Sequence, residues 1–295
     1  MFTGSMVAIV TPMLTGVGPD TKIDSPALEN LLEFHIEQGT DAIVAVGTTG
    51  ESATLTEEEH CIVIKQIVDI VNGRIPVIAG TGANSTIEAI SLTKCAKEVG
   101  ADACLLVTPY YNKPTQEGLY LHYKAVAETI DIPQILYNVP SRTACDMLPD
   151  TIVRLSTIKN IIGVKEATAD LARVKQIRNG AGADFLLLTG DDETTKDFIL
   201  EGGDGVISVT ANVAPRAMHE MCMLALSGDI DGASNLDDML KDLHKELFVE
   251  SNPIPVKWVL HKLGFIQAGI RLPMTWMSES AELKLLDAMK QAGVI

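Results

Sequence analysis

Short apolar runs rich in Val, Ile and Leu recur along the chain at residues 7–10, 42–46, 76–79, 103–107, 134–137, 161–164, 185–188 and 206–209. Each is apolar on both faces, the pattern of parallel strands covered by helices on either side. The stretches between them carry helix punctuation. Ser25 followed by Pro26 reads as an N-cap with proline at the first helical position, and Gly39 ends that helix. Thr56 with Glu59, and Ser85 with Glu88, are spaced as capping boxes.

Eight strand-helix units suit a (β/α)8 barrel, although a doubly wound sheet also uses this alternation. The placing of polar residues favours the barrel. Nearly every apolar run leads straight into a polar or Gly-rich loop: TPM, GTTGES, GTGAN, TPYYNKP, YNVPSRT, KEAT, TGDD and TAN, in chain order. A barrel gathers all eight at one mouth, where barrel enzymes keep their sites, whereas an open sheet gathers only two or three at a switch point. Past about residue 213 the strand pattern stops and helices are expected near 215–226, 233–248, 255–263 and 279–292, with the prolines of NPIPVK setting the chain direction into the third. The predicted division is a catalytic barrel over 1–226 and a helical region over 227–295, with no internal repeat, low-complexity segment or flexible linker between them.

Charge narrows the partners. The 295 residues carry 23 basic and 39 acidic side chains, a formal charge of −16, with 46% hydrophobic residues. That is ample for a large core, and it opposes binding to nucleic acid or an anionic membrane surface. The N-terminus lacks the basic start and cleavage site of a signal peptide, and no apolar stretch reaches the length of a membrane span, so a cytoplasmic location is expected. The five cysteines, Cys61, Cys95, Cys104, Cys145 and Cys222, are scattered without metal-ligand spacing and read as buried or reduced thiols.

The most informative run is IIGVKEA, residues 161–167. Alternation puts Ile161, Gly163 and Lys165 on one strand face and Ile162, Val164 and Glu166 on the other. If the first face looks into the barrel, Lys165 projects at the mouth, and Gly163 leaves space below it. Partial desolvation then disfavours the ammonium form, and lowering its pKa from about 10.4 to near 7 takes roughly 4 kcal/mol. A neutral amine there attacks carbonyl carbon and forms a Schiff base. The plainer reading is that Lys165 snorkels to solvent or pairs with Glu166 or the aspartates of TGDD. Tyr137, Tyr110 and Tyr111 fall at strand ends, where a phenol could pass protons or simply pack. Arg142 could clamp a carboxylate bidentately or sit solvated at the surface. The segment Gly47-Thr48-Thr49-Gly50 offers a small nest for a carboxylate, or serves as a turn.

Taken in order and at these spacings, GTTGES, TPYYNKP, YNVPSRT and GVKEAT resemble the dihydrodipicolinate synthase family, and the resemblance runs from FTGSMVAIVTPM to NPIPVK and RLPMT. It implies a (β/α)8 lyase that condenses pyruvate with L-aspartate 4-semialdehyde in lysine biosynthesis, without metal or organic cofactor. By the same resemblance Lys165 is the Schiff-base lysine and Tyr137 the proton-relaying tyrosine, linked to Thr48 and to Tyr111. In the family that last tyrosine comes from across a dimer interface, so a homodimer or homotetramer is implied. Thr49 matches a pyruvate-carboxylate ligand, Arg142 the arginine that holds the aldehyde substrate, and Ile207 supplies a backbone carbonyl near the lysine. Feedback by lysine is implied near Ser52, Ala53, His60, Gly82, Asn84, Glu88 and Tyr110. Glu57 stands where some lysine-inhibited relatives have a histidine.

The nearest rival readings are other pyruvate-dependent aldolases, such as N-acetylneuraminate lyase or a keto-deoxy-sugar-acid aldolase. These share the lysine, the tyrosine and a GxTGE-type loop; Arg142 within PSRT and the TPYY pair favour the amino-aldehyde acceptor. A metal-dependent barrel hydrolase is disfavoured because the six histidines fall in predicted helices and no HxH occurs. Gly202-Gly203 precedes the last run and so belongs to the face opposite the mouth, which disfavours a phosphate-binding barrel.

Overall fold

The computed structural model describes residues 2–295. Ten strands form: β1 Gly4–Ala8, β2 Gly16–Gly18, β3 Ala42–Ala45, β4 Val77–Gly80, β5 Ala103–Val107, β6 Gln134–Asn138, β7 Ile161–Glu166, β8 Leu186–Thr189, β9 Gly205–Ser208 and β10 Gly269–Arg271. Eight of them close a parallel barrel in the order β1-β3-β4-β5-β6-β7-β8-β9, with β9 returning to β1 through Gly4–Gly205 to Val7–Ser208. Each predicted run lies in or beside one of these strands. The first was placed too late: Gly4, Ser5 and Met6 already pair with β9, while Ile9 and Val10 are buried beyond the strand end.

The helices are α1 Ser25–Glu37, α2 Glu57–Val71, α3 Thr86–Glu98, α4 Gln116–Thr129, α5 Pro140–Thr143, α6 Pro149–Leu155, α7 Ala172–Ala181, α8 Thr195–Leu200, α9 Pro215–Ser227, α10 Ile230–Glu246, α11 Ile254–Lys262 and α12 Glu279–Gln291. Their apolar stripes bury Leu28, Leu31 and Leu32 of α1, and Val63, Ile64 and Ile67 of α2, against the outer strand faces. A smaller cluster of Met6, Ala8, Val44, Ile78, Leu105, Ile135, Leu188 and Ile207 fills the barrel interior beneath the mouth. All six histidines lie on helices.

Four sequence expectations are corrected. The cap of α1 is Asp24, whose carboxylate accepts from Ala27 N at 3.2 Å, so Ser25 is the first helical residue. Thr56 and Glu59 form a full capping box, but Ser85 makes no side-chain cap bond and Glu88 is left free for other use. Cys61 and Cys95 form a disulfide between α2 and α3; these helices pack side by side, which brings residues 34 apart in sequence to a Cα separation of 6.2 Å. Cys104, Cys145 and Cys222 are free and buried. The strand pattern does not stop at residue 213: β10 pairs in parallel with β2, Gly269 with Gly16 through Arg271 with Gly18, tying the tail to the first loop.

Candidate functional site

The mouth of the barrel holds a chamber of about 770 Å³, lined by residues from each of the eight barrel strands or the loop that follows it and by residues 248–252 of the C-terminal region. The second loop, GTTGES, is entered through Val46 in the left-handed region (φ 45°), an unusual conformation for a β-branched residue. Glycines make this turn possible: a Cβ on Gly80 would lie 2.6 Å from Val46 O, and one on Gly50 2.9 Å from Val46 Cα. The turn places Thr48 and Thr49 on the chamber wall, where the Thr49 hydroxyl accepts from Asn252 Nδ2 at 3.0 Å. Behind the loop, Glu51 is buried and left-handed (φ 59°) and pairs with the fully buried Lys257 of α11. Lys257 also donates to Thr11 O at 3.2 Å, and Arg271 N donates to Glu51 Oε2 at 3.1 Å. The Arg271 guanidinium completes the brace with two 2.7 Å bonds to Glu59.

On β7, Lys165 and Glu166 point to opposite sides as alternation requires. Glu166 faces outward and pairs with Arg173 at 3.2 Å and with Asn138, so it is not the partner of the lysine. Lys165 faces inward, is 6% exposed, and sits with its Nζ 4.4 Å from the centre of the Tyr137 ring. It does not snorkel. Gly163 leaves no space below it, contrary to expectation, because a Cβ there would lie 2.5 Å from Leu186 Cβ. The glycine that makes room is Gly190, where a Cβ would lie 2.5 Å from Lys165 Cε.

Burial pushes the Lys165 amine down to about 7; the Asp192 carboxylate opposes this, and the Arg142 charge adds to it. Burial raises the Tyr137 phenol, against the Arg142 charge and a hydrogen bond from Thr48. At neutral pH the pair is therefore an amine able to shed its proton beside a phenol that keeps its own. Arg142, carried on the short helix α5 directly after β6, is exposed on the chamber wall. Ile207, in β9, also lines the chamber.

A second cavity of about 250 Å³ adjoins the first and shares Thr48, His60 and Arg142 with it. Ser52, Ala53, Glu57, His60, Gly82, Glu88 and Tyr110 line it. His60 is buried and donates from Nε2 to Gly80 O at 2.6 Å. Burial raises the Tyr110 phenol, and the nearby Glu88 charge raises it further. Asn84 lines neither cavity; its backbone carbonyl accepts from Asn112 Nδ2 at 2.8 Å. Tyr111 lines neither cavity: it is 89% exposed at φ 73°, projecting from the fourth loop.

The TGDD loop reaches the chamber as the strand pattern predicts, with Gly190, Asp191 and Asp192 on its wall, whereas the contribution of residues 248–252, Asn252 among them, carries no signal in the sequence. TGDD and NPIPVK were visible as motifs, but only folding brings them to the lysine. Among the described residues no group of three or more His, Cys, Asp or Glu side chains is placed to hold a metal ion, and no helix is long and apolar enough to cross a membrane.

Comparison with known proteins matches this arrangement over its whole length. The chain is 63% identical over 295 residues to the 4-hydroxy-tetrahydrodipicolinate synthase of Methylococcus capsulatus, covering 100% of both. Its structure superposes with a TM-score of 0.97 on the chloride-inhibited dihydrodipicolinate synthase of Acinetobacter baumannii complexed with pyruvate, at 57% identity and 100% coverage of both chains. The lysine-bound enzyme of Cyanidioschyzon merolae superposes at 0.95, with 39% identity, covering 100% of this chain and 99% of that one. The model of the dihydrodipicolinate synthetase family matches residues 1–292. With the barrel, the buried lysine and the matched length in agreement, the chain belongs to the dihydrodipicolinate synthetase family.

Proposed function

We propose that the chain is a lyase that joins pyruvate to L-aspartate 4-semialdehyde through a Schiff base on Lys165, giving 4-hydroxy-tetrahydrodipicolinate for lysine biosynthesis. One observation carries the reading: a lysine buried at the barrel mouth, held down to about 7, with a protonated phenol beside it. The neutral amine attacks the keto carbon of pyruvate, and Tyr137 passes protons to the departing oxygen. Thr48 and Thr49 hold the pyruvate carboxylate in the turn made by Val46, and Asn252 fixes the Thr49 hydroxyl. Loss of a methyl proton then gives an enamine, whose carbon attacks the aldehyde. The aldehyde substrate's carboxylate is held by Arg142, and its amine displaces Lys165 and closes the ring. Ile207 lends a backbone carbonyl near the lysine. The acceptor assigned to Arg142 is what sets this reading apart from a sugar-acid aldolase of the same chemistry.

The second cavity is the proposed lysine site, with Glu88 and Glu57 as acidic partners for a cationic effector and His60 reaching the catalytic chamber. The lysine-bound relative supports this reading. Tyr111, exposed and left-handed on its own chain, is proposed to complete the proton relay of a partner subunit in a homodimer or homotetramer. The two-part division of the chain, into a catalytic barrel over 1–226 and a helical region over 227–295, and a cytoplasmic location complete the proposal.

Borohydride reduction in the presence of pyruvate is expected to add one pyruvyl mass to the peptide containing Lys165. Labelling at another residue, or none, refutes the Schiff base. A coupled assay with aspartate semialdehyde against sugar-acid substrates separates the acceptors.

A further inference from the structure

Asp192 lies in the TGDD loop between β8 and α8 and is 2% exposed. Its Oδ2 accepts from Val209 N and Thr210 N, both at 3.0 Å, just past the end of β9. Its Oδ1 is buried and has no partner. Leaving a buried carboxylate oxygen unpaired costs more than pairing it, so the fold keeps one acceptor on this side chain that no protein donor satisfies. The side chain lines the chamber that Lys165 enters, and Gly190, two residues earlier, packs against the lysine stem.

The other charged or titratable groups on this wall are occupied or of the wrong sign. Asp191 Oδ2 accepts from Thr194 N and Oγ1 at 3.1 and 2.7 Å, and Glu250 Oε1 accepts from Ser278 N and Oγ at 3.2 and 2.5 Å. Glu193 is exposed to solvent. His60 is bonded to Gly80 O and pushed down by burial, Arg142 is cationic, and burial keeps the Tyr137 phenol protonated. Among the described residues of the wall, Asp192 alone combines burial, a negative charge and a free oxygen.

A Schiff base creates the charge that this carboxylate lacks. The neutral amine adds to the keto carbon, the oxygen leaves as water, and one proton from solvent is retained overall. The product is an iminium whose nitrogen carries a positive charge on a side chain that is 6% exposed. We propose that Asp192 is the counter-ion of the iminium on Lys165, a positioning residue that stabilises the captured pyruvate through the charge on the lysine nitrogen. This rests on the Schiff-base reading above. The electrostatics agree in direction: Asp192 is the leading charge acting on Lys165 and works against its desolvation.

The proposal has a pH signature. Above the lysine pKa, capture converts a neutral amine into a cation, and the counter-ion favours it. Below that pKa the lysine is already cationic, so the contribution cancels. Asp192→Asn keeps an oxygen for the two backbone N–H groups and removes the charge. Half-saturation of borohydride trapping by pyruvate is expected to rise about tenfold or more at pH about 9 and to stay within about twofold at pH about 5.5. An equal loss at both pH values, or no loss at the higher one, overturns the proposal. If Asp192→Asn does not fold, Asp192→Glu, which keeps the charge, must retain high-pH capture; a folded Glu variant that loses capture equally at both pH values overturns it. Absence of trapping in the unmodified enzyme would instead refute the Schiff base itself, so the two failures are distinct.

Discussion

At the scale of single residues, the proposed chemistry rests on a lysine that the fold keeps short of its proton. Burial pulls Lys165 from 10.5 to about 7, so between those values the unfolded chain binds a proton that the native state does not. Stability therefore rises with pH across that window, and at neutral pH the group costs roughly 5 kcal/mol relative to strongly alkaline solution. Activity follows the same titration in the useful direction. The acid limb of kcat/KM for pyruvate is expected to fall away below pH about 7, because protonation removes the nucleophile; a limb near the free-lysine value would contradict the burial argument. Lys165 and its face were legible in IIGVKEA because strand alternation is strict. Gly190 was not, since its role depends on a loop meeting the lysine stem across a strand pair, and periodicity says nothing about such a meeting.

At the scale of elements, the turn that presents Thr48 and Thr49 is held by the far end of the chain. Lys257 is buried without exposure, and its one charged partner among the described residues is Glu51, beneath that turn. Burial pushes the Lys257 amine down and the Glu51 charge opposes it. Replacing Lys257 by Met leaves Glu51 as an uncompensated buried charge, a loss of about 3–5 kcal/mol that should appear as a lower urea midpoint. The same change should raise KM for pyruvate by loosening the Thr49 hydroxyl, whereas adding Glu51→Gln should recover part of the stability. The eight barrel strands were readable because parallel strands buried on both faces form continuous apolar runs. The pair β2 and β10 was not, because GVG and GIR are too short to carry a period. The Cys61–Cys95 pairing was equally hidden, since it depends on how α2 lies against α3 rather than on spacing.

At the scale of the whole molecule, a chain of charge −16 would meet the proposed carboxylate substrates with one fixed positive group on the chamber wall, Arg142, since burial brings the Lys165 amine down to about 7. Completion of the site by a second copy has its own test. Tyr111→Phe should lower kcat by about tenfold or more, the scale of one proton-transfer partner, with sedimentation unchanged. Millimolar lysine should still inhibit that variant, because Tyr111 does not line the second cavity. A variant with full activity would remove Tyr111 from the relay.

By itself the sequence determined the barrel, the strand face that carries Lys165 and the loops that meet at the mouth, because strand and helix periods are local properties of the chain. The tertiary structure decided what surrounds that lysine. Gly190 and Asp192 come from the loop after β8, and Asn252 joins the same chamber from 203 positions beyond the threonine it holds. Burial and electrostatic neighbourhood are properties of packing, and packing exists only once distant segments have come together.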